Sequence, residues 1–145
     1  MLTYEQLDFI ADLYIPALAV ISFYFLVNIV RVVGISKALI NMALLGAAVA
    51  YIYGLMFIDQ YFLIWQSLDL DYSTHTALAL VFVVFLVLKD IRLKIFTVLS
   101  MLFYAGLMVY QGYHSVLDIV STGLVVTPIL VWLFVKKAPC GESAG

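Results

Sequence analysis

The chain has 145 residues, of which 66% are apolar and 11% charged, with a formal net charge of -2. Its mean hydropathy of +1.16 excludes an ordinary soluble domain, and with no basic excess it offers nucleic acid no counter-charge. The lone Cys140 excludes an intramolecular disulfide.

The leading segment "MLTYEQLDFIAD" is acidic where a cleaved signal sequence is positive. Thr3 precedes Gln6 by three residues, a capping-box pattern that predicts a short outer helix with Glu5, Asp8 and Asp12 on one face. Membrane spans are predicted over 13–30 and 38–58, close to the roughly 20 residues that a hydrocarbon core of about 30 Å requires. The second carries Gly46, Ala50 and Gly54 at four-residue intervals, which predicts close helix packing inside the monomer. Asn28 and Asn41, toward the inner ends of these spans, are placed to bond each other. The segment 59–73 mixes Phe62, Leu63 and Trp65 with Asp and Gln, so it is predicted to lie in the interface as a lid. Further spans are predicted over 74–88, 93–110 and 115–135, the last with Pro128 as a possible kink, before a tail over 136–145. The expected fold class is all-α: a single integral membrane domain, a polytopic bundle of five transmembrane spans.

The basic residues fall in three places: Arg31 with Lys37, Lys89 with Arg92 and Lys94, and Lys136 with Lys137. The positive-inside rule makes these cytoplasmic, which puts the N-terminus outside and the C-terminus inside. The outer side then holds Glu5, Asp8, Asp12, Asp59, Asp69, Asp71 and Asp118 with no lysine or arginine. Both histidines lie on that side, so function is expected there. Short loops and complete basic segregation point to a bacterial inner membrane with the site facing the periplasm.

His75 stands 14 residues above Lys89, about 21 Å, and His114 stands 22 above Lys136, about 33 Å. A snorkelling lysine stem adds a few ångströms to the first, so both rings reach the outer edge of the hydrocarbon. In "HSVLD", Asp118 is four residues after His114 on one helix face, where a carboxylate can accept from one ring nitrogen and fix the tautomer. Ser121 and Thr122 continue a polar stripe, and ionisable groups inside a span mark functional sites.

These residues carry a resemblance. "STHTALALVFVV" resembles the serine-x-histidine block that opens a span in the type 2 phosphatidic acid phosphatase superfamily, and "YHSVLDIVSTG" is similar to its final histidine-x-x-x-aspartate block. The sphingomyelin synthase branch is the closer likeness, and the resemblance covers roughly residues 71–124. It implies that His114 attacks phosphorus, that Asp118 orients it, and that His75 protonates the departing alkoxide. Water as acceptor makes a phosphatase or phospholipase; a lipid hydroxyl makes a head-group transferase. No metal or cofactor is required.

Two departures matter. The family's lysine- and arginine-containing first block is absent near "FIDQYF", and Met108 stands where an arginine is expected six residues before His114. Such cations hold the phosphate in phosphomonoesterases. A phosphodiester with a cationic head group fits the acidic side better: its ammonium can meet Asp59, Asp69 or Asp71 and the ring faces of Tyr72, Tyr110 and Tyr113. Ser73 and Thr74, preceding His75, complete the expected substrate contacts. The expected partner is therefore a phosphocholine- or phosphoethanolamine-type phospholipid, and activity is expected to be bell-shaped in pH.

Alternatives stay open. The aromatics also suit an interfacial belt. The histidines also suit axial ligands of haem, or zinc ligands with Asp71 and Asp118. A lipid phosphate (phosphomonoester) phosphatase is the alternative enzyme, and the missing cations also suit a catalytically inactive member that binds or scrambles lipid. Oligomeric state is not legible.

Overall fold

A computed structural model describes residues 3–137. Its helices are α1 (Tyr4–Val32), α2 (Ile35–Phe62), α3 (Thr74–Lys89), α4 (Ile91–Tyr110) and α5 (Val116–Lys137), with a short 3-10 turn at Gln66–Leu68. There is no strand among the described residues.

The chain enters α1 through the Thr3 capping box: the Gln6 N–H donates to the Thr3 hydroxyl at 3.4 Å and the Thr3 N–H to Gln6 Oε1 at 3.0 Å. The predicted short outer helix and first span are one continuous helix, Pro16 included. Its 29 residues reach about 43 Å, more than the roughly 30 Å of a hydrocarbon core. Likewise α2 extends through residues 59–62 of the expected interfacial segment and stops where Leu63 turns left-handed, at φ 53°. A Schellman turn ends α4: Gly112 adopts φ 75°, its N–H bonds the Val109 carbonyl, and the Tyr113 N–H bonds the Met108 carbonyl, both at 3.1 Å.

Helix α3 is the hub and packs against all four others. Ala77, Ala79, Val81 and Phe85 are fully buried, as expected for a helix apolar on every side. With 16 residues it reaches about 24 Å, less than a hydrocarbon core. The other four helices are long and apolar enough to cross a membrane. Their outward surface carries large apolar side chains such as Phe23, Phe57, Phe103 and Leu124, all more than 60% exposed, and this surface makes the chain an integral membrane protein.

Successive helices reverse direction. The hydroxyl of Tyr4 on α1 reaches the Gln111 carbonyl after α4, and the Asp71 N–H before α3 reaches Asp118 on α5. The N-termini of α1, α3 and α5 therefore share one end of the bundle with the C-termini of α2 and α4. That end holds Asp8, Asp59, Asp69, Asp71 and Asp118, while Arg31, Lys37, Lys89, Lys94 and Lys136 lie toward the other.

Two packing expectations change. Gly46 and Ala50 are exposed and Gly54 half-buried, and a Cβ added at either glycine meets nothing within 4 Å. The stripe therefore faces outward instead of receiving a neighbouring helix. Asn41 donates to the Lys37 carbonyl of its own helix at 2.8 Å rather than to Asn28.

Candidate functional site

The acidic end is organised by the polar stripe of α5. Asp118 is buried, and its oxygens accept two backbone N–H groups: Asp71 at 2.8 Å and Ser115 at 2.7 Å. In return the Ser115 hydroxyl accepts the Asp118 N–H at 3.2 Å, which closes a capping box on α5. One turn on, the Ser121 hydroxyl accepts the Trp65 indole N–H at 3.1 Å and the Thr122 hydroxyl accepts the Ser73 N–H at 3.1 Å. Three side chains on one helix face thus clamp the α2–α3 link at three points.

The link has its own staples. Asp59 Oδ1 accepts the Trp65 N–H at 2.8 Å, and the Trp65 ring meets Tyr72 edge-on at 5.0 Å between centroids. The Tyr72 hydroxyl donates to the Ile52 carbonyl at 3.2 Å, and burial, reinforced by Tyr51 and Asp59, pushes its pKa well up. The expected interfacial lid is therefore bonded down at its second half, with Leu63, Ile64 and Leu68 still exposed along it.

This framework sets the two histidines. Ser73 caps α3: its hydroxyl accepts the Thr76 N–H at 3.3 Å and donates to the Thr76 hydroxyl at 2.8 Å. Ser73, expected among the substrate contacts, is wholly buried, with hydroxyl and N–H both committed. Thr74 is half-buried and His75 exposed in the first turn. His114 is half-buried in the α4–α5 link, and its Nδ1 is enclosed with no hydrogen-bond partner. Burial lowers its pKa below the usual histidine range; the carboxylates of Asp118 and Asp71 oppose that, and charge on His75 adds to it. The segments that bear the two rings meet at one carboxylate: the Asp71 N–H, four residues before His75, and the Ser115 N–H, next to His114, bind the two oxygens of Asp118. The Asp118 carboxylate senses His114 as well, but its hydrogen bonds go to backbone and not to the ring. The expected tautomer-fixing bond is replaced by a clamp that ties the backbone beside each histidine.

Of the remaining expected contacts, Asp71 is exposed and contributes its N–H to the clamp. Tyr110 is 78% exposed on the outer face of α4. The hydroxyl of Tyr113 donates to the Asp8 carboxylate, which, with Tyr4 beside it, pushes the phenol's pKa well up. Among the described residues no three His, Cys, Asp or Glu side chains converge as metal ligands, so the zinc alternative lacks a ligand set there.

The sequence reading missed two features. Trp65 as the link's anchor carried no pattern beyond its apolar surroundings. Gln111, three residues before His114, is buried with neither amide atom bonded, and nothing in its neighbours sets it apart. Comparison of the chain with family models, curated proteins and solved structures finds no match.

Proposed function

We propose that this chain is a membrane lipid phosphodiester head-group hydrolase or transferase with a histidine pair at its exoplasmic end. The observation that supports it is the pair itself: His75 and His114, 39 positions apart, stand at the acidic end on segments that the Asp118 carboxylate joins, and burial favours the neutral form of His114. A neutral imidazole retains the lone pair that a nucleophile needs. In this scheme a His114 nitrogen attacks phosphorus, the bond to the leaving alkoxide breaks, and His75 supplies the proton that alkoxide takes up. Water or a lipid hydroxyl then attacks the phosphohistidine, the P–N bond breaks, and the acceptor's proton returns to His75.

The topology that goes with it has α3 as a fifth, protein-enclosed crossing, the N-terminus outside and the basic end cytoplasmic. In a bacterial inner membrane the site faces the periplasm. The substrate is a zwitterionic phospholipid of phosphocholine or phosphoethanolamine type. No described lysine or arginine lies at the acidic end to hold a dianionic monoester, whereas the exposed Asp69 and Asp71 suit an ammonium. Asp118 positions the histidine-bearing segments in this reading. A second reading, a lipid-binding protein without turnover, draws on the same commitment of Asp118 to backbone.

Lipid mass spectrometry on cells expressing the chain or His114→Ala tests the proposal. Loss of one phospholipid class with gain of a diacylglycerol or a new head-group lipid, only with the intact histidine, supports the enzyme. Identical lipidomes from two folded, inserted proteins sink it and favour the binding reading. Faster turnover of phosphatidic acid than of any zwitterionic diester overturns the substrate class.

A further inference from the structure

Helices α4 and α5 follow each other through a link of only five residues, 111–115, yet they share no extended contact; each leans on α3 instead. Consecutive elements usually pack together. The gap between them is an apolar groove whose inner part is floored by α3. Its outer lobe, about 320 Å³, is lined by Leu102, Gly106, Val109, Val116 and Val120. Its inner lobe, about 280 Å³, shares Leu102 and continues between Leu80, Val84, Met101 and Val131. From Val116 to Val131 the groove follows α5 for about 22 Å.

We infer that this groove holds one acyl chain of a membrane phospholipid, with the head group beside His114. Three observations favour a chain over other occupants. The lining is aliphatic within two helices that are long and apolar enough to cross a membrane, so the surrounding medium supplies acyl chains directly. The outer lobe ends at Val116, the first residue of α5, so it opens at the end of the bundle that carries His114. Over its length of about 22 Å the whole groove holds about 600 Å³, a cross-section of about 27 Å² that suits one hydrocarbon chain and not a helix about 10 Å across.

Gly106 is the groove's natural test point. It is exposed, and a Cβ added there meets nothing within 4 Å, so a larger side chain fills the groove without displacing the fold. Only the head-group half of the inference rests on the proposed function.

The experiment uses the full chain in phosphatidylcholine vesicles containing a phosphatidylcholine with a diazirine midway along one acyl chain. After photolysis, adducts are mapped by peptide mass spectrometry. Adducts should concentrate on α4 and α5 groove residues over the lipid-facing Phe23 and Phe57. They should fall about tenfold in Gly106→Leu, as expected for displacing two buried methylenes, and persist in His114→Ala. Val120→Phe, on the opposite wall, should lower them in the same way. Even labelling of all lipid-facing helices, or a groove protected by self-crosslinking of two copies, overturns the inference. Groove labelling by a protein that changes no lipid leaves the groove standing and sinks the enzyme. Turnover without groove labelling does the reverse.

Discussion

Helices α3 and α4 are joined by the single residue Asp90 and are both strongly apolar, yet they live in different solvents. Phe85, Ala77 and Val81 on α3 are fully buried in protein, whereas Phe96, Leu102 and Phe103 on α4 are 69%, 63% and 73% exposed. A bilayer interior is as apolar as a protein core, so hydropathy cannot separate the two environments. Side-chain size and polar anchoring separate them instead. The hidden helix uses alanine to admit its neighbours, and α5 turns Asp118, Ser121 and Thr122 toward the segment leading into it.

The largest effects should come from the hidden helix. Phe85 meets Phe134 edge-on at 5.6 Å between centroids. Phe85→Ala should cost about 2–4 kcal/mol, somewhat below the soluble-core range because separated helices remain in lipid. Phe103→Ala on the exposed face should stay within about 0.5 kcal/mol. Thermal unfolding of both variants in one detergent checks the pair, and equal losses would erase the contrast between the helices.

Next is the clamp. Asp118→Asn keeps one acceptor oxygen and turns a donor toward the other N–H, so one buried backbone donor loses its partner. The expected cost is about 2 kcal/mol. Hydrogen exchange should show the Asp71 or Ser115 amide opening in this variant while the amides of α1 remain protected. Unchanged protection at both would mean that the two bonds do not hold the link.

How much of this was legible depended on whether a pattern had one meaning. The start of α3 and the end of α4 were legible because one apolar run opens at residue 74 and another closes at residue 110; the Ser73 cap and the Gly112 turn that fix those ends went unread. Asp118 had two meanings. "HSVLD" places it four residues after His114, but it is also Ser-x-x-Asp before an apolar run, a capping pattern, and in the structure the carboxylate's hydrogen bonds follow the second. The stripe of Gly46, Ala50 and Gly54 was read as an internal contact because small residues permit close approach, but permission does not say which helix comes. The continuation of α1 back to Tyr4 was hidden by counting only the residues that lipid needs; a helix can outrun the membrane when polar residues line its end.

A smaller effect belongs to Trp65. Its indole N–H to the Ser121 hydroxyl is one neutral bond at 3.1 Å, so Trp65→Phe should cost about 1 kcal/mol. Most of the ring contact with Tyr72 should survive. Limited proteolysis at residues 63–71 should accelerate about fivefold, the equivalent of that free energy when opening is fast. A loss several times larger would assign the link's stability to packing of the indole rather than to its bond.

The smallest effect separates the two histidines by their protons. The folded pKa of His114 lies below its ordinary value, so the unfolded chain binds more protons in the window beneath about pH 6.5. Stability from this group therefore rises with pH through that window and is level above it. Removing the ring with His114→Gln should leave the stability difference between variant and native chain constant above about pH 7 and shift it in the variant's favour as pH falls toward 5. Thermal midpoints of the two proteins across that range measure it. A difference that does not change with pH would show that the enclosed Nδ1 finds a partner when it gains a proton, and would remove burial as the reason for a neutral ring. The same window bears on turnover. If His114 must be neutral to attack, the acid limb of kcat/KM reports its folded pKa, below 6.5, so activity should fall at a lower pH than the one at which stability begins to fall.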